Sequence, residues 1–308
     1  MRIVGRINRE IFVRRRTFIN AGLAAASSAC FASRANADAG VQTNRIRQSI
    51  MGWCFKPMDM ISLAKQCKRI GLEAMEGIDS KLYDEVTSLG LKISLVGSHG
   101  FAKGPVDSDH HAEVEKKLRD GVDLAVKYNV PNVITFTGMR KKGQSDRVSR
   151  ENCLRCWKRI LPYAEEKGIG IVLEHLNSKA HLNPDGTIHP MKGHPGYWGD
   201  DVHLCAEMIH ELSSERFKLL FDIYHVQIMN GDLISNLQKY QSIIGHYHTA
   251  GNPDRRELDE ANEINYPAVM RAILKTGYDG YVAQEFIPTG VDPIRSLEQA
   301  YSVCNVVL

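Results

Sequence analysis

Eight short apolar runs alternate with eight longer amphipathic segments along most of this 308-residue chain. The apolar runs are rich in β-branched residues, have the length of strands and cover 49–54, 74–78, 92–97, 132–137, 170–175, 218–223, 243–249 and 281–286. The amphipathic segments have helical spacing and cover 58–70, 80–88, 108–128, 149–167, 200–212, 233–240, 266–275 and 294–303. Strands that alternate with helices pair in parallel through right-handed crossovers. Eight such units over about 260 residues predict a closed (β/α)8 barrel, or TIM barrel, rather than an open sheet.

The positive net charge comes from the first 34 residues. They hold seven of the 39 basic and one of the 36 acidic side chains, so the formal net charge of +3 becomes −3 without them. Binding to a phosphate backbone needs clustered positive charge on the folded surface. The mildly acidic remainder therefore predicts a protein that does not bind nucleic acid.

The same N-terminal segment resembles an export signal. Its features are a twin-arginine pair at Arg15-Arg16, an Ala-rich run over 21–32 and an A-x-A cleavage site at Ala35-Asn36-Ala37. The Ala-rich run is too short and too weakly apolar to span a bilayer, so no stable membrane insertion is expected after cleavage. We predict a twin-arginine signal peptide over 1–37, a mature domain over 38–308 and a periplasmic product. An uncleaved basic tail is the alternative.

One long irregular stretch, residues 177–199, follows the fifth predicted strand and is rich in Gly, Pro, His and Asn. Loops of this length are usually functional lids or disordered segments. Because the reacting groups of barrel enzymes lie at the carboxyl ends of the strands, this loop is expected to lie over the barrel mouth as a lid.

The last four predicted strands each end in a residue that can bind a hard metal ion: Glu174, Asp222, His248 and Glu285. A lone buried acid at a strand end is more often an ion-pair partner, and a lone histidine is more often a hydrogen-bonded core residue. Four successive strand ends of this kind favour a shared cation, because an uncompensated buried carboxylate costs several kcal/mol. Three carboxylates and an imidazole suit Mn²⁺, Mg²⁺, Co²⁺ or Zn²⁺.

Two segments resemble a known family. The opening SIMGWCF and the long segment IGHYHTAGNPDRRELDEANEINYPAVMRAILKTGYDGYVAQEF are similar to sequences of the hydroxypyruvate isomerases, within the xylose-isomerase-like barrel superfamily. The resemblance extends from Ile50 nearly to the end of the chain. It implies a metal-dependent isomerase that interconverts an aldehyde and a ketone through an enediolate, with hydroxypyruvate and tartronate semialdehyde as the expected pair. A small hydroxy-carbonyl or sugar substrate is the expected partner, and exposed barrel helices would allow a homo-oligomer.

The resemblance also implies roles for individual residues. Glu174 and Glu285 match the two catalytic glutamates of the family, and Asp222 matches its metal-binding aspartate. The predicted substrate-binding residues are His225, Arg255 and Glu257. Arg255 is expected to bind the substrate carboxylate, with a solvated loop arginine as the alternative. His225 is expected to donate to a substrate oxygen or to orient Asp222.

Other side chains are weaker candidates for the barrel mouth. They are the aromatic residues Trp53, Phe55, Tyr197 and Trp198 as pocket walls, and Glu76 and His99 near the ends of the second and third strands. Aromatic residues at such positions are equally consistent with core packing.

Departures from the family pattern leave the substrate open. His248 stands where hydroxypyruvate isomerases usually have Gln, as it does in ketose 3-epimerases, and Leu258-Asp259 replaces a Pro-Gly pair. A ketose 3-epimerase or another sugar isomerase of the same superfamily is therefore the first alternative. A metal-dependent DNA-repair endonuclease would need more metal ligands and a basic face, and a non-catalytic sugar-binding barrel would need no transition metal.

Overall fold

The computed structural model describes residues 45–308, so the predicted signal peptide and its cleavage site lie outside the described residues. The strands are β1 (Arg47–Ile50), β2 (Ala74–Met75), β3 (Lys92–Ile93), β4 (Asn132–Phe136), β5 (Gly170–Glu174), β6 (Phe217–Asp222), β7 (Ile244–Thr249) and β8 (Tyr281–Gln284). The helices are α1 (Met60–Ile70), α2 (Tyr83–Ser88), α3 (His111–Tyr128), α4 (Asp146–Lys167), α5 (Val202–Leu212), α6 (Ile223–Met229), α7 (Leu233–Tyr240), α8 (Tyr266–Lys275) and α9 (Pro293–Cys304). Among residues 45–308, no helix has the length and apolar character needed to cross a membrane.

The strands form a closed ring. Strands β4 to β8 pair in sequence order, β8 pairs with β1, and β2 pairs with β3, all in parallel. Two isolated parallel bridges complete the ring: Met51 with Glu76 between β1 and β2, and Val96 with Val133 between β3 and β4. The predicted (β/α)8 barrel is confirmed.

The helices cover the barrel with their apolar faces, and α1 shows how the sequence produces this. The Asp59 side chain accepts a hydrogen bond from Ser62 N at 2.8 Å and caps the start of the helix. Gly71 ends it in the left-handed conformation, at φ 110°. Between these ends Leu63 and Cys67 are fully buried against the sheet, and burying a side chain such as Leu63 contributes about 1.5–3 kcal/mol.

Two elements differ from the sequence-based expectation. The first predicted strand was expected to reach residue 54, but β1 ends at Ile50 and Gly52–Phe55 form a 3-10 helix. A short helix, α6, starts immediately after β6 and was not predicted. The Asp222 side chain accepts a hydrogen bond from His225 N at 3.1 Å, so the same residue ends the strand and caps the helix.

Alternation along the strands places the predicted ligands inside the barrel. Side chains two residues apart in a strand lie on the same face. Val172 and Leu220 belong to an apolar cluster, completed by Leu95 and Ile134, that is separate from the larger core under the helices. Glu174 lies two residues beyond Val172, and Asp222 two residues beyond Leu220, so both acids continue the inward face at the carboxyl ends of their strands.

Candidate metal centre

The structure brings the four predicted metal ligands together. Glu174, Asp222, His248 and Glu285 each offer one ligand atom, and these four atoms all lie within 4.8 Å of one another. All four residues are buried, with at most 4% of their surface exposed. They come from β5, β6, β7 and the residue after β8, as the strand-end pattern predicted.

His248 lies between the two glutamates. Its Nδ1 is 3.0 Å from Glu174 Oε1 and 3.0 Å from Glu285 Oε2. Burial lowers the pKa of His248, but the Glu285 charge and the hydrogen bonds with its carboxylate neighbours outweigh burial and raise this pKa well above 6.5. The carboxylates therefore attract positive charge at the position of Nδ1.

The pKa values of the carboxylates also indicate a site that favours a cation. Burial, followed by the charges of Glu285 and Glu174, raises the pKa of Asp222 well above its usual range. Burial and the Glu285 charge also raise the pKa of Glu174. Three crowded carboxylates and one imidazole fit a divalent ion with a preference for oxygen and nitrogen ligands.

Arg255 supplies a fixed positive charge beside this cluster. Its Nη2 lies 2.7 Å from Glu285 Oε2, and its Nη1 donates to Met191 O at 2.9 Å. Burial raises the pKa of Glu285, but the charges of Arg255 and His248 outweigh it and hold this pKa well below its usual range. The guanidinium is 3% exposed and stacks 5.4 Å from the Trp53 ring, so Arg255 belongs to the site rather than to a solvated loop.

His225 is fixed as a hydrogen-bond donor toward the site. The backbone N–H of Asn177 donates to His225 Nδ1 at 3.1 Å, so this ring nitrogen carries no proton. Burial, followed by the charge of Arg255, keeps the pKa of His225 well below 6.5, which leaves the ring neutral. The proton is then on Nε2, which lies 3.6 Å from Asp222 Oδ2 and has no other partner among the described residues.

The Glu257 carboxylate lies against the loop that follows β8. Its Oε1 accepts from Thr289 N at 2.6 Å and from Gly290 N at 2.9 Å, and its Oε2 accepts from the Thr289 hydroxyl at 2.8 Å. Both oxygens are thus used within the protein. The predicted contact between Glu257 and substrate stays a prediction.

A cavity of about 400 Å³ opens above the cluster. It is lined by Met51, Trp53, Glu76, Gly77, Leu95, Gly97, Ser98, Gly100, Phe101, Ile134, Phe136, Glu174, Leu176, Met191, His194, Arg255 and Glu285. Met191 and His194 come from the loop 177–199, and Lys192 of the same loop forms an ion pair with Asp254 at 2.9 Å. The expected position of this loop over the barrel mouth is confirmed.

Some of the weaker candidates line the cavity, and others pack in the protein core. Trp53 lines the cavity, whereas the Phe55 ring packs against Phe286 at 5.5 Å. Tyr197 is fully buried and donates from its hydroxyl to Glu174 O at 2.8 Å, so it supports the strand that carries a ligand.

Two more of these candidates, Trp198 and His99, also have partners within the protein. Trp198 donates to Asp146 Oδ1 at 2.8 Å. The ring nitrogens of His99 lie 2.8 Å from Lys103 O and 2.9 Å from Thr135 Oγ1. Neither side chain lines the cavity.

Two buried residues next to the cluster matter more than the sequence suggested. Glu76 Oε1 lies 2.8 Å from His248 Nε2, and Glu76 Oε2 lies 3.0 Å from His246 Nε2. Burial raises the pKa of Glu76, but the close contacts with His246 and His248 outweigh burial and lower this pKa to about 2. Glu76 was a weak candidate and His246 was missed. The i, i+2 spacing of the histidines in IGHYH is the signal that both rings point into the barrel.

The fold is shared with proteins of known structure. A crystal structure titled AP endonuclease, family 2 from Brucella melitensis has a TM-score of 0.71 at 20% identity, over 85% of this chain and 100% of that one. A 3-keto-D-glucoside 4-epimerase from E. coli has a TM-score of 0.68 at 16% identity, over 83% of this chain and 98% of that one. At these identities the likeness shows the fold alone.

Curated proteins with related sequences are isomerases. The hydroxypyruvate isomerase of Escherichia coli is 27% identical over 180 residues, which cover 56% of this chain and 64% of the relative. A 2-oxo-tetronate isomerase of Cupriavidus necator is 30% identical over 125 residues, covering 41% of this chain and 43% of the relative. Across the curated relatives compared, the matches span 40% to 64% of the relative's own length.

The family itself is established by a match over most of the chain. The sequence model of the Xylose isomerase-like TIM barrel family covers residues 63–302, from the first barrel helix to the last. This range includes every residue of the candidate metal centre. Together with the closed ring of eight parallel strands, the match shows that the chain belongs to the xylose isomerase-like TIM barrel family.

Proposed function

We propose that this protein is a metal-dependent isomerase that interconverts an aldehyde and a ketone, with hydroxypyruvate and tartronate semialdehyde as its substrate pair. One observation carries the proposal: two buried glutamates, Glu174 and Glu285, line the same cavity and share one candidate ion site with Asp222 and His248. The relatives named hydroxypyruvate isomerase and 2-oxo-tetronate isomerase support this class of reaction.

The chemistry requires one C–H proton to move to the neighbouring carbon and one hydroxyl proton to move between the two oxygens. When bound, a divalent ion supplies positive charge that stabilises the enediolate. Glu174 and Glu285 face the cavity from adjacent positions, so one of them removes the C–H proton and the other, or the same one, returns it.

Two further residues bind and orient the substrate in this proposal. Arg255 reaches the cavity with its charge fixed beside Glu285, where it can pair with a substrate carboxylate. His225 presents a proton on Nε2, so it donates to a substrate oxygen or to Asp222 and does not act as a metal ligand.

The test is turnover of hydroxypyruvate with and without a chelator, followed by add-back of Mn²⁺, Mg²⁺, Co²⁺ or Zn²⁺. We expect Glu174→Gln and Glu285→Gln in the metal-loaded protein each to lower kcat by about 10²–10⁴, the usual contribution of a general acid or base. Tyr163→Phe on the outer surface of α4, where the tyrosine hydroxyl contacts Asp123, is a matched control that leaves kcat unchanged. If both glutamine variants kept near-full turnover on every hydroxy-carbonyl substrate, the proposal would be wrong.

A ketose 3-epimerase is the second candidate, and two observations favour it. His248 matches the residue that ketose 3-epimerases have at the seventh strand. The cavity of about 400 Å³ also falls within the range of about 300–1,000 Å³ that holds drug-sized ligands, so a three-carbon acid leaves room for a longer chain. A panel of hydroxypyruvate and free ketoses separates the two reactions, because only an epimerase returns the proton to the same carbon.

We also propose that the protein acts in the periplasm after twin-arginine export. The support is the Arg15-Arg16 pair, the Ala-rich run and the Ala35-Asn36-Ala37 site. N-terminal sequencing of the exported protein is expected to start at Asp38, and a product that starts at Met1 would contradict the signal peptide.

A further inference from the structure

A buried polar network lies beside the candidate ligands, inside the part of the barrel formed by β1, β2, β3 and β7. It consists of Ser49, Glu76, Ser94 and His246, all of which are at most 1% exposed, and we name it the Glu76 network. Burying so many polar groups costs free energy unless each finds a partner. In this network, the hydrogen-bonded groups connect to one of the predicted metal ligands, His248.

The two oxygens of Glu76 have separate partners. Oε2 accepts from the Ser94 hydroxyl at 2.5 Å and lies 3.0 Å from His246 Nε2, while the Ser94 hydroxyl is also 2.5 Å from the Ser49 hydroxyl. Among residues 45–308, the hydrogen-bond partner of Oε1 is His248 Nε2, at 2.8 Å. The network therefore orients the carboxylate so that one oxygen is reserved for His248.

The backbone holds Glu76 in the same place. Its N–H donates to Ile50 O at 2.8 Å, and its carbonyl accepts from Gly52 N at 2.8 Å, which fixes β2 against β1. The next residue, Gly77, has φ 63°, and a Cβ there would lie 2.0 Å from Met51 Sδ. Only glycine allows the chain to turn away at this point while the Glu76 side chain stays inside the barrel.

These contacts decide which nitrogen of His248 carries a proton in the metal-bound protein. A carboxylate oxygen only accepts hydrogen bonds, so Nε2 must be protonated to bind Glu76. In a neutral ring the lone pair is then on Nδ1, the atom that lies 3.0 Å from both Glu174 and Glu285. A metal-binding histidine whose other nitrogen donates to a carboxylate is held in one orientation and is a stronger ligand.

We propose that Glu76 is a positioning residue: it holds His248 with Nε2 protonated, so that Nδ1 binds the ion. The inference rests on the proposed function only in requiring that His248 is a metal ligand. Glu76 does not exchange protons with substrate in this account, although its side chain borders the cavity.

A second ion is the rival explanation of the same contacts. One ligand atom each from Glu76, His246 and His248 lie within 4.8 Å of one another, and His246 Nε2 has no well-oriented hydrogen bond. Two ions would require His248 to lose both ring protons and bridge them. One proton on Nε2 satisfies Glu76 without that loss, so we favour a single ion per chain.

The first test measures Zn²⁺ affinity of the full exported protein by competition with a chromophoric chelator, together with stoichiometry. We expect one Zn²⁺ per wild-type chain and an affinity that falls about 10-fold to 100-fold in Glu76→Gln, which keeps the size of the side chain but removes its charge. Gln48→Met is the control, because Gln48 is an equally buried barrel residue that accepts from Gln284 at 2.9 Å and does not touch His248. We expect this control to bind Zn²⁺ within twofold of the wild type.

Three results would overturn the proposal in different ways. An affinity of Glu76→Gln within twofold of the wild type would remove the positioning role alone. Two Zn²⁺ per chain would replace it with a second ion site. Failure of the wild type to bind Zn²⁺ would remove the metal centre and the proposed function together.

A second test reads the protonated ring nitrogen directly in the wild-type protein. In the Zn²⁺-loaded wild type labelled with ¹⁵N-histidine, NMR reports which ring nitrogen is protonated. We expect a proton on Nε2 of His248 and Zn²⁺ on Nδ1, and the resonance is identified by its loss in His248→Gln. A purely structural Glu76 would not determine this tautomer, so Zn²⁺ on Nε2 would contradict the proposal.

Discussion

The two sides of the barrel interior are built differently, although both are buried. On the β3–β6 side, Leu95, Ile134, Val172 and Leu220 pack into an apolar cluster. On the side of β1, β2, β3 and β7, the Glu76 network fills the space with hydrogen-bonded polar groups. The predicted ligands lie at the carboxyl ends of the strands, beside both the apolar cluster and the Glu76 network. Apolar packing thus supports the ligands from β5 and β6, whereas hydrogen bonds orient the ligand from β7.

The largest expected effect concerns stability on the apolar side. Leu220→Ala should lower the free energy of unfolding by about 2–5 kcal/mol, because it removes a fully buried side chain and leaves a cavity. Since Leu220 makes no polar contact with a ligand, the Zn²⁺ affinity of the folded protein should change less than threefold. Urea denaturation and chelator competition measure the two quantities. If Leu220→Ala lowered the Zn²⁺ affinity as much as Glu76→Gln does, the proposed difference between the two sides would be wrong.

His175, directly after β5, faces the helix layer rather than the barrel interior, with its ring 6.4 Å from Phe221, and it predicts a pH effect. It is fully buried, neither ring nitrogen has a well-oriented hydrogen bond among residues 45–308, and burial lowers its pKa to about 4. The unfolded chain binds a proton near pH 6.5 while the folded chain does not, so stability falls as the pH drops from 6.5 toward 4. Between pH 7.5 and 5 the wild type should lose about 2 kcal/mol more than His175→Leu in urea denaturation. Parallel pH profiles for the two proteins would contradict this.

A smaller effect is expected on the polar side. Ser94→Ala removes the hydroxyl that donates to Glu76 Oε2, and should cost about 1–3 kcal/mol because this buried oxygen loses a donor. The Glu76 carboxylate would then be less well oriented toward His248, so Zn²⁺ affinity should fall severalfold, but less than in Glu76→Gln. Thermal unfolding of the metal-free protein and chelator competition check the two parts separately. A stability loss with unchanged affinity would limit the network to a structural role.

The smallest effect separates a loop anchor from a substrate contact. Glu257→Gln weakens the hydrogen bonds that the carboxylate accepts from Thr289 and Gly290, and should lower stability by about 1 kcal/mol. If the carboxylate only anchors this loop, KM for hydroxypyruvate should stay within twofold. A KM increase of tenfold or more with unchanged stability would instead support the predicted substrate contact.

The fold and the four ligands were predictable because each is encoded locally. Alternating strand and helix patterns fixed the barrel, and an acid or histidine at each of four successive strand ends identified Glu174, Asp222, His248 and Glu285. The parallel arrangement of the strands then brings their ends to one place. Helix α6 was missed because its cap, Asp222, is also the last residue of a strand.

The contacts around the ligands were less predictable, because they depend on distances across the barrel. Glu76 and His248 are 172 positions apart in sequence yet share a hydrogen bond of 2.8 Å. Similarly, nothing local to Glu257 indicates that its oxygens face Thr289 rather than the cavity. Polar residues on the inward face of a strand can be recognised from alternation, but their partners cannot.

The most direct test of the central claim is anomalous X-ray diffraction from crystals of the protein loaded with Mn²⁺. The account predicts one anomalous peak per chain, bound by Glu174, Asp222, His248 through Nδ1, and Glu285. A fully loaded crystal with its peak elsewhere, or with none at these four side chains, would contradict it.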